Sequence, residues 1–293
     1  MLTLKIFSYN ILEDRLSNPD FFINSKNEHL DKYNRIKKLI PIINTELNNS
    51  KYYNIFCIQE VGIDVQASEL YKIFFQYNYD VIFVGDVFIA YPNTFELISC
   101  NMGNISKLLK IINNNFSDKQ IQLINSKYKY FIMLHLKEKL TNIEFTIANT
   151  HLIAMNHELK ILQLILLLTT LNKYKNVIFV GDLNIESTNN VLNLITDGVL
   201  NNEFGEYKLQ KKYKSAYNIS KNFITTHTSN RITPIYTEML DYIFVSPHIK
   251  VLDCKKLYEK NQFKNNNNYW PSDDEPSDHT LIWAIIEIGR AHV

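Results

Sequence analysis

Four apolar runs in this chain stop abruptly at polar residues, and a fifth starts from them. Leu4-Lys5-Ile6-Phe7-Ser8-Tyr9 ends at Asn10, Ile55-Phe56-Cys57-Ile58 at Gln59-Glu60, Phe145-Thr146-Ile147-Ala148 at Asn149-Thr150-His151, and Val177-Ile178-Phe179-Val180-Gly181 at Asp182-Leu183-Asn184. Pro276-Ser277-Asp278-His279 leads into Thr280-Leu281-Ile282-Trp283-Ala284-Ile285-Ile286. Runs so nearly continuous in apolar residues leave no solvent face, so the strands they form are covered on both sides. Polar groups then have room only at strand ends, and the repetition implies ends that converge on one site.

Strands are expected near 2–9, 54–59, 80–84, 86–91, 130–137, 143–151, 176–182, 241–246 and 279–286. Leu30, Tyr33, Ile36, Leu39, Ile40 and Ile43 recur at helical spacing and predict a helix over 28–47, which Pro41 should kink or restart. A helix over 158–172 is apolar nearly all round and should lie sandwiched against a sheet; shorter helices are expected at 105–113 and 191–195. Antiparallel hairpins with occasional helices argue for an α/β fold of four layers, two packed mixed β-sheets flanked by helices. With 46% hydrophobic content in 293 residues and nothing resembling a linker, a single domain over 1–287 is expected. Residues 288–293 read as a non-native tail, because the end of the chain resembles translated adapter sequence.

A net charge of +1 excludes binding nucleic acid by a broad basic surface, so any such binding must be local. Apart from Arg290 in the tail, only Arg15, Arg35 and Arg231 can supply a bidentate clamp, and a bound metal is a natural source of the missing positive charge. Cys57, Cys100 and Cys254 form no disulfide framework, which suits a reducing compartment. Apolar periodicity begins by Leu2, leaving no room for a signal peptide, and the greasiest stretch, Ile161–Leu168, is too short to span a bilayer. A soluble, cytoplasmic, monomeric protein with no membrane partner is expected. The asparagine clusters at 113–115 and 265–268 are read as solvated loops.

Asp182 and Asn184, two residues apart in extended chain, share one face. A carboxylate and an amide oxygen there suit a hard cation, or a water held beside phosphorus, although Gly, Asp and Asn also close strands for purely structural reasons. Glu60 follows an apolar run and is expensive to leave half-buried without a partner; a cation is one such partner. Gln59 serves equally well as a structural hydrogen-bonder, and Asn10, taken alone, reads more readily as a strand-closing turn residue. His151 and His279 stand at strand mouths among acids. Asp278 and His279 point to opposite faces if extended, one toward a metal and the other toward substrate, while Asp241, opening the strand Tyr242-Ile243-Phe244-Val245, is placed to orient a histidine. His29, His135, His157, His227 and His248 have no such company and receive no role.

In this order, Asn10, Gln59-Glu60, Asn149-Thr150-His151-Leu152, Gly181-Asp182-Leu183-Asn184, Asp241-Tyr242-Ile243-Phe244 and Ser277-Asp278-His279, the chain resembles the endonuclease/exonuclease/phosphatase superfamily of deoxyribonuclease I-like enzymes. Within it, Ser8-Tyr9-Asn10-Ile11-Leu12, Tyr33-Asn34-Arg35, Lys160-Ile161-Leu162-Gln163 and Leu240–Phe244 are most similar to the branch of deadenylases, nocturnin, angel proteins and 2′-phosphodiesterases. A proline usual in that branch is replaced at Asn156 or His157, and a glycine at Glu238.

The resemblance implies a site at one edge of the sandwich. It implies Glu60 as principal Mg²⁺ ligand (Mn²⁺ substituting), assisted by Asn10 and Asp278, with Asn149 and Tyr236 at the substrate. Asp182 would hold or deprotonate water and Asn184 orient it, while His151 and His279, the latter backed by Asp241, contact phosphate. Either Asp182 or His279 can be the base, and one metal or two are both open. The implied activity is hydrolysis of phosphodiester bonds, foremost as a 3′ to 5′ RNA exonuclease of deadenylase type. The alternatives are a DNA or abasic-site endonuclease, a hydrolase of a small phosphorylated substrate or sphingomyelin, and a catalytically silent binding module.

Overall fold

The computed structural model describes residues 1–49, 51–112, 116–217, 224–229, 236–255, 258–259 and 269–289. The asparagine clusters, Arg231 and residues 290–293 of the expected tail lie outside the described residues.

Two six-stranded sheets dominate the fold. The first holds β1 (Leu2–Asn10), β2 (Tyr53–Gln59), β3 (Tyr79–Val84) and β4 (Val87–Pro92). The second holds β5 (Phe95–Asn104), β6 (Tyr130–Glu138), β7 (Glu144–His151), β8 (Val177–Asp182), β9 (Lys214–Ser215) and β10 (Asp241–Val245). The chain then returns to the first sheet with β11 (Lys250–Cys254) and β12 (Ile282–Ile288). Strand orders are β11-β12-β1-β2-β4-β3 and β9-β10-β8-β7-β6-β5. Each sheet carries one parallel pair, β1/β2 and β7/β8, between antiparallel neighbours. Parallel neighbours end at the same edge, so the carboxyl ends of four central strands can meet.

One face of the first sheet, with Leu4, Ile6, Ile55, Cys57, Val87 and Ile89, joins the second sheet in a single apolar cluster. Its other face, with Phe7, Tyr9, Phe56, Ile58 and Phe88, is covered by α2 (Lys32–Leu47), which follows the one-turn α1 (Asn27–Leu30), through Leu39 and Ile43, and by α3 (Val65–Gln76), through Leu70, Ile73 and Phe74. A helix over His157–Leu171 buries residues all round, because it lies between the second sheet's cluster and the 3-10 turn Ile105–Lys110. The result is the expected four-layer α/β sandwich. Full burial of a side chain such as Phe74 is worth roughly 1.5–3 kcal/mol, so the outer layers are held chiefly by these stripes.

Several elements differ from expectation. The first helix breaks not at Pro41, which sits inside α2, but at Asp31, whose carboxylate accepts from Asn34 N–H at 2.9 Å and caps α2. The third helix is only the 3-10 turn, capped by Asn104. β12 begins at Ile282, later than 279, because the preceding residues bond elsewhere: Thr280 N–H donates to the Thr226 carbonyl at 3.0 Å and Thr228 N–H to the Asp278 carbonyl at 2.9 Å. Ile288, placed in the tail from sequence, pairs with Leu2 in β12 and is fully buried. Asn156, one of the two positions at which the resemblance leads one to expect proline, caps the helix that follows, its side chain accepting from Leu159 N–H at 2.8 Å.

Arg35, a candidate clamp by sequence, is buried and spent on structure. Its Nε donates to the Pro276 carbonyl at 2.8 Å, its Nη2 to the carbonyls of Ile11 and Leu12, and its Nη1 faces Asp14 at 3.3 Å. One guanidinium thus ties the loop after β1 to the approach to β12. Beside it, Tyr9 Oη donates to the buried Glu275 carboxylate. Burial pushes the Glu275 carboxyl up to about 7, against the hydrogen bonds from Tyr9 and Thr280 that favour the charged form. The folded state therefore holds this proton more tightly than the unfolded chain, and stability falls as pH rises from the ordinary carboxyl range through 7, by up to about 3 kcal/mol. Glu275→Gln, which accepts the tyrosine proton but cannot ionise, is expected to gain in melting temperature relative to the parent as pH goes from about 5 to about 8. A difference constant across that range would disprove the assignment.

Candidate active site

At the shared edge, β8 delivers Asp182 fully buried among hydrogen bonds. Asn10 Nδ2 donates to Oδ2 and Asn184 N–H to Oδ1, each at 2.9 Å. Only glycine fits at 181, since a Cβ would lie 2.1 Å from the Thr150 carbonyl oxygen of β7; this close approach sets His151 level with Asp182 in the ladder. Glu60 stands just past β2 at φ +54, a left-handed conformation uncommon for such a residue, with its carboxylate 3.7 Å from His151 Nε2.

Two imidazoles flank Asp182. His151 Nε2 and His279 Nε2 each lie 3.7 Å from Asp182 Oδ2. Each ring is held from behind: His279 Nδ1 donates to Asp241 at 2.8 Å, and His151 Nδ1 to Asp86 at 2.7 Å. Such backing fixes the tautomer and points Nε2 forward. Burial works against a charged His279, yet Asp241 and Asp182 outweigh it and hold the imidazole well above its usual range. His151 is likewise opposed by burial and by Lys129, and raised net by Asp86 and Asp182. Burial would raise the Asp182 carboxyl, but His279, His151 and Asn10 keep it below the usual carboxylate range, and therefore ionised. Asp241 goes the other way: burial dominates and raises it.

Of the expected site residues, Asn10, Glu60, His151, Asp182, Asn184, Asp241 and His279 come together around this cluster. Asn149 does not reach a substrate: it is buried between the sheets, donating at 3.0 Å to the carbonyls of Ile58 and Phe88 and accepting from Gln59 at 2.7 Å. Asn10 has its amide nitrogen on Asp182 and its oxygen on Leu12 N–H at 3.0 Å, a positioning arrangement. Asp278, expected to share an ion with Glu60, pairs instead with His227 at 3.5 Å, which with His279 holds its carboxyl down at about 2 against burial. Tyr236 donates to Glu186 at 2.8 Å and meets the His227 ring edge-on at 5.9 Å.

Three residues at the site escaped the sequence reading. Asp86 lies in the β3–β4 turn, where an acid is unremarkable; Lys129 just precedes β6; and His227, left without a role, bridges to His279 with ring centroids 4.5 Å apart. Glu60, Lys129, His151, Asp182, Asn184, His227, Asp278 and His279 line a cleft of about 410 Å³, with Leu12, Leu16, Phe21 and Phe22 adding an apolar surface.

The sequence matches the model of the Endonuclease/Exonuclease/phosphatase family over residues 7–279, and the chain belongs to that family. It is accordingly a hydrolase of phosphoester bonds, in a family that generally uses a divalent metal. No curated protein matches the sequence. Among solved structures it is similar to ANGEL2, described as a 2′,3′-cyclic phosphatase, in complex with adenosine-2′,3′-vanadate (18% identity, TM-score 0.81, covering 97% of this chain and 95% of that one). It is also similar to the human nocturnin catalytic domain with bound sulfate (20% identity, TM-score 0.65, 98% and 95%). A third likeness is to D. rerio TDP2 complexed with single-strand DNA product (13% identity, TM-score 0.63, 98% and 99%). These likenesses are of fold. Among the described residues no helix is long and apolar enough to cross a membrane.

The residues present fit a divalent cation. Carboxylate oxygens of Glu60 and Asp182 lie within 4.8 Å of each other beside His151, and two hard oxygen donors suit Mg²⁺ or Mn²⁺ more than a thiolate-seeking metal. Asp86→Asn and Asp241→Asn, which can present the wrong tautomer to their histidines, are each expected to lower hydrolysis of bis(p-nitrophenyl) phosphate about 10- to 100-fold with an unchanged melting profile. Parental rates in both variants would show that the backing carboxylates do not matter.

Proposed function

We propose that the chain is a Mg²⁺-dependent phosphodiesterase that hydrolyses RNA from the 3′ end in the manner of a deadenylase, with Mn²⁺ able to replace Mg²⁺. The observation that carries this reading is the pair of carboxylate-backed imidazoles, His151 and His279, both 3.7 Å from the same Asp182 oxygen. A phosphoryl group seated there has an ionised carboxylate on one side and two N–H donors around it.

Asp182 orients the attacking water and takes its proton as the oxygen adds to phosphorus. Of the two candidate bases Asp182 is favoured, since an imidazole held protonated by Asp241 donates rather than accepts. As the P–O bond to the ribose oxygen breaks, His279 Nε2 gives its proton to that leaving oxygen. His151 Nε2–H meets a non-bridging oxygen and stabilises the charge that builds there. Asn184, its N–H on Asp182, orients the water. Glu60 and Asp182 would hold the cation, which when bound supplies positive charge against the developing phosphorane. Tyr236 is a stacking surface for the terminal base.

A second reading, opening of a 2′,3′-cyclic phosphate at an RNA end, is favoured by the similarity to ANGEL2 bound to adenosine-2′,3′-vanadate. Both readings break a phosphodiester at the terminal ribose. Purified protein with Mg²⁺ should be given labelled poly(A), RNA ending in a 2′,3′-cyclic phosphate, abasic duplex DNA, sphingomyelin and inositol polyphosphates side by side. RNA ends are expected to be consumed fastest, EDTA to stop the reaction, and Mg²⁺ or Mn²⁺ to restore it. Asp182→Ala and Glu60→Ala are expected to lose about 10³-fold or more while still folding. Preference for DNA or a small phosphate, or full activity in either variant, overturns the reading.

A further inference from the structure

Lys129 enters the cleft one residue before β6, anchored by its carbonyl, which accepts from Ile105 N–H at 2.8 Å. Its ammonium lies 3.2 Å from His151 Nδ1 and 3.3 Å from His151 Nε2. Nearly equal approach to both ring nitrogens places it off the line of either lone pair, so neither contact is a strong hydrogen bond. His151 Nδ1 already directs its proton to Asp86 Oδ2, and that same oxygen is 3.9 Å from the lysine, beyond hydrogen-bond reach. The side chain is nonetheless mostly sequestered, at 17% exposure.

An ammonium held this way has donors it does not use well, and it repels the imidazole whenever His151 is protonated. Such a local conflict is the kind tolerated at functional sites, where a ligand resolves it. An anion entering beside Glu60, His151 and Asp182 would meet the Lys129 donors and the His151 Nε2–H together. Of the two arginines among the described residues, Arg35 is spent on backbone carbonyls and Arg15 is an exposed partner of Glu13 at 2.7 Å. Lysine, a compact point charge with three rotatable donors, serves a phosphate oxygen without demanding planar geometry.

We propose that Lys129 is the phosphate-binding cation of this site, its ammonium contacting a non-bridging oxygen of the phosphoryl group under attack. The inference rests on the phosphodiesterase reading above for its catalytic consequence, but not for its binding consequence. The test therefore follows binding of inorganic phosphate, by ³¹P line broadening with Mg²⁺ present, in parallel with turnover of the best RNA-end substrate. Lys129→Met is expected to weaken phosphate binding about 10- to 100-fold, the loss of one charge-assisted hydrogen bond, and to lower kcat more than it raises KM, with an unchanged melting temperature. Lys129→Arg is expected to restore most of the phosphate binding. If no RNA end is hydrolysed yet Lys129→Met still loses phosphate, the reading of the substrate falls and the Lys129 assignment stands. Phosphate binding equal in Lys129→Met and the parent, or none in the parent, overturns it.

Discussion

Asn149 is the constraint on which the site's geometry depends. This fully buried amide stands between the two sheets, donating to Ile58 of β2 and Phe88 of β4 and accepting from Gln59, so that it belongs to β7 but is satisfied by the other sheet. Apolar packing alone tolerates small slides of one sheet over another. A buried amide does not, because each bond lost in a dry interior costs roughly 1–3 kcal/mol. The next residues along the two strands are Glu60 after Gln59 and Thr150-His151 after Asn149. Locking Gln59 to Asn149 therefore sets the distance between Glu60 and His151.

From that lock the electrostatics follow. Asp182 has to stay ionised in a place where burial opposes charge, and it does so because two imidazoles, an amide and a backbone N–H all favour its charged form. Those imidazoles are in turn kept protonated by carboxylates behind them, Asp86 for His151 and Asp241 for His279. Asp241 itself is drawn upward by burial, against the charge of His279 and a hydrogen bond from the Thr226 side chain. Burial thus prevails at Asp241, which stands behind a histidine, while the central Asp182 stays ionised.

Much of this was legible in the chain, for identifiable reasons. β1, β2, β7, β8 and β10 are buried on both faces, so their sequences are continuous apolar runs whose polar ends stand out. β5 and β11 lie at sheet edges with mostly exposed side chains, and no run marks them. α3 buries Leu70, Ile73 and Phe74 but leaves Phe75 81% exposed, which blurs the stripe that would have marked the helix. Within the site, residues at the ends of strong strands could be read, whereas Asp86 in a turn, Lys129 before a strand and His227 in a short hairpin could not. Asn149 was legible as important but not for the right reason: a polar residue at a strand end can face either the cleft or the opposite sheet, and only the register of the two sheets decides.

The scarcity of arginine has a structural answer as well. A guanidinium has five donors in a fixed fork, and at Arg35 those donors are worth more as a staple for carbonyls of two separate loops than as a phosphate clamp. Those loops carry Asn10's neighbours on one side and Ser277-Asp278-His279 on the other; Ser277 Oγ closes the link by donating to the Asn10 carbonyl at 2.7 Å. Beside the Lys129 ammonium, positive charge in the cleft is made in place by pairing imidazoles with buried acids. A charge created this way is directional, because the acid that raises the imidazole also aims its Nε2. A guanidinium brings five donors at once, whereas an imidazole backed by a buried acid offers a single N–H in one direction.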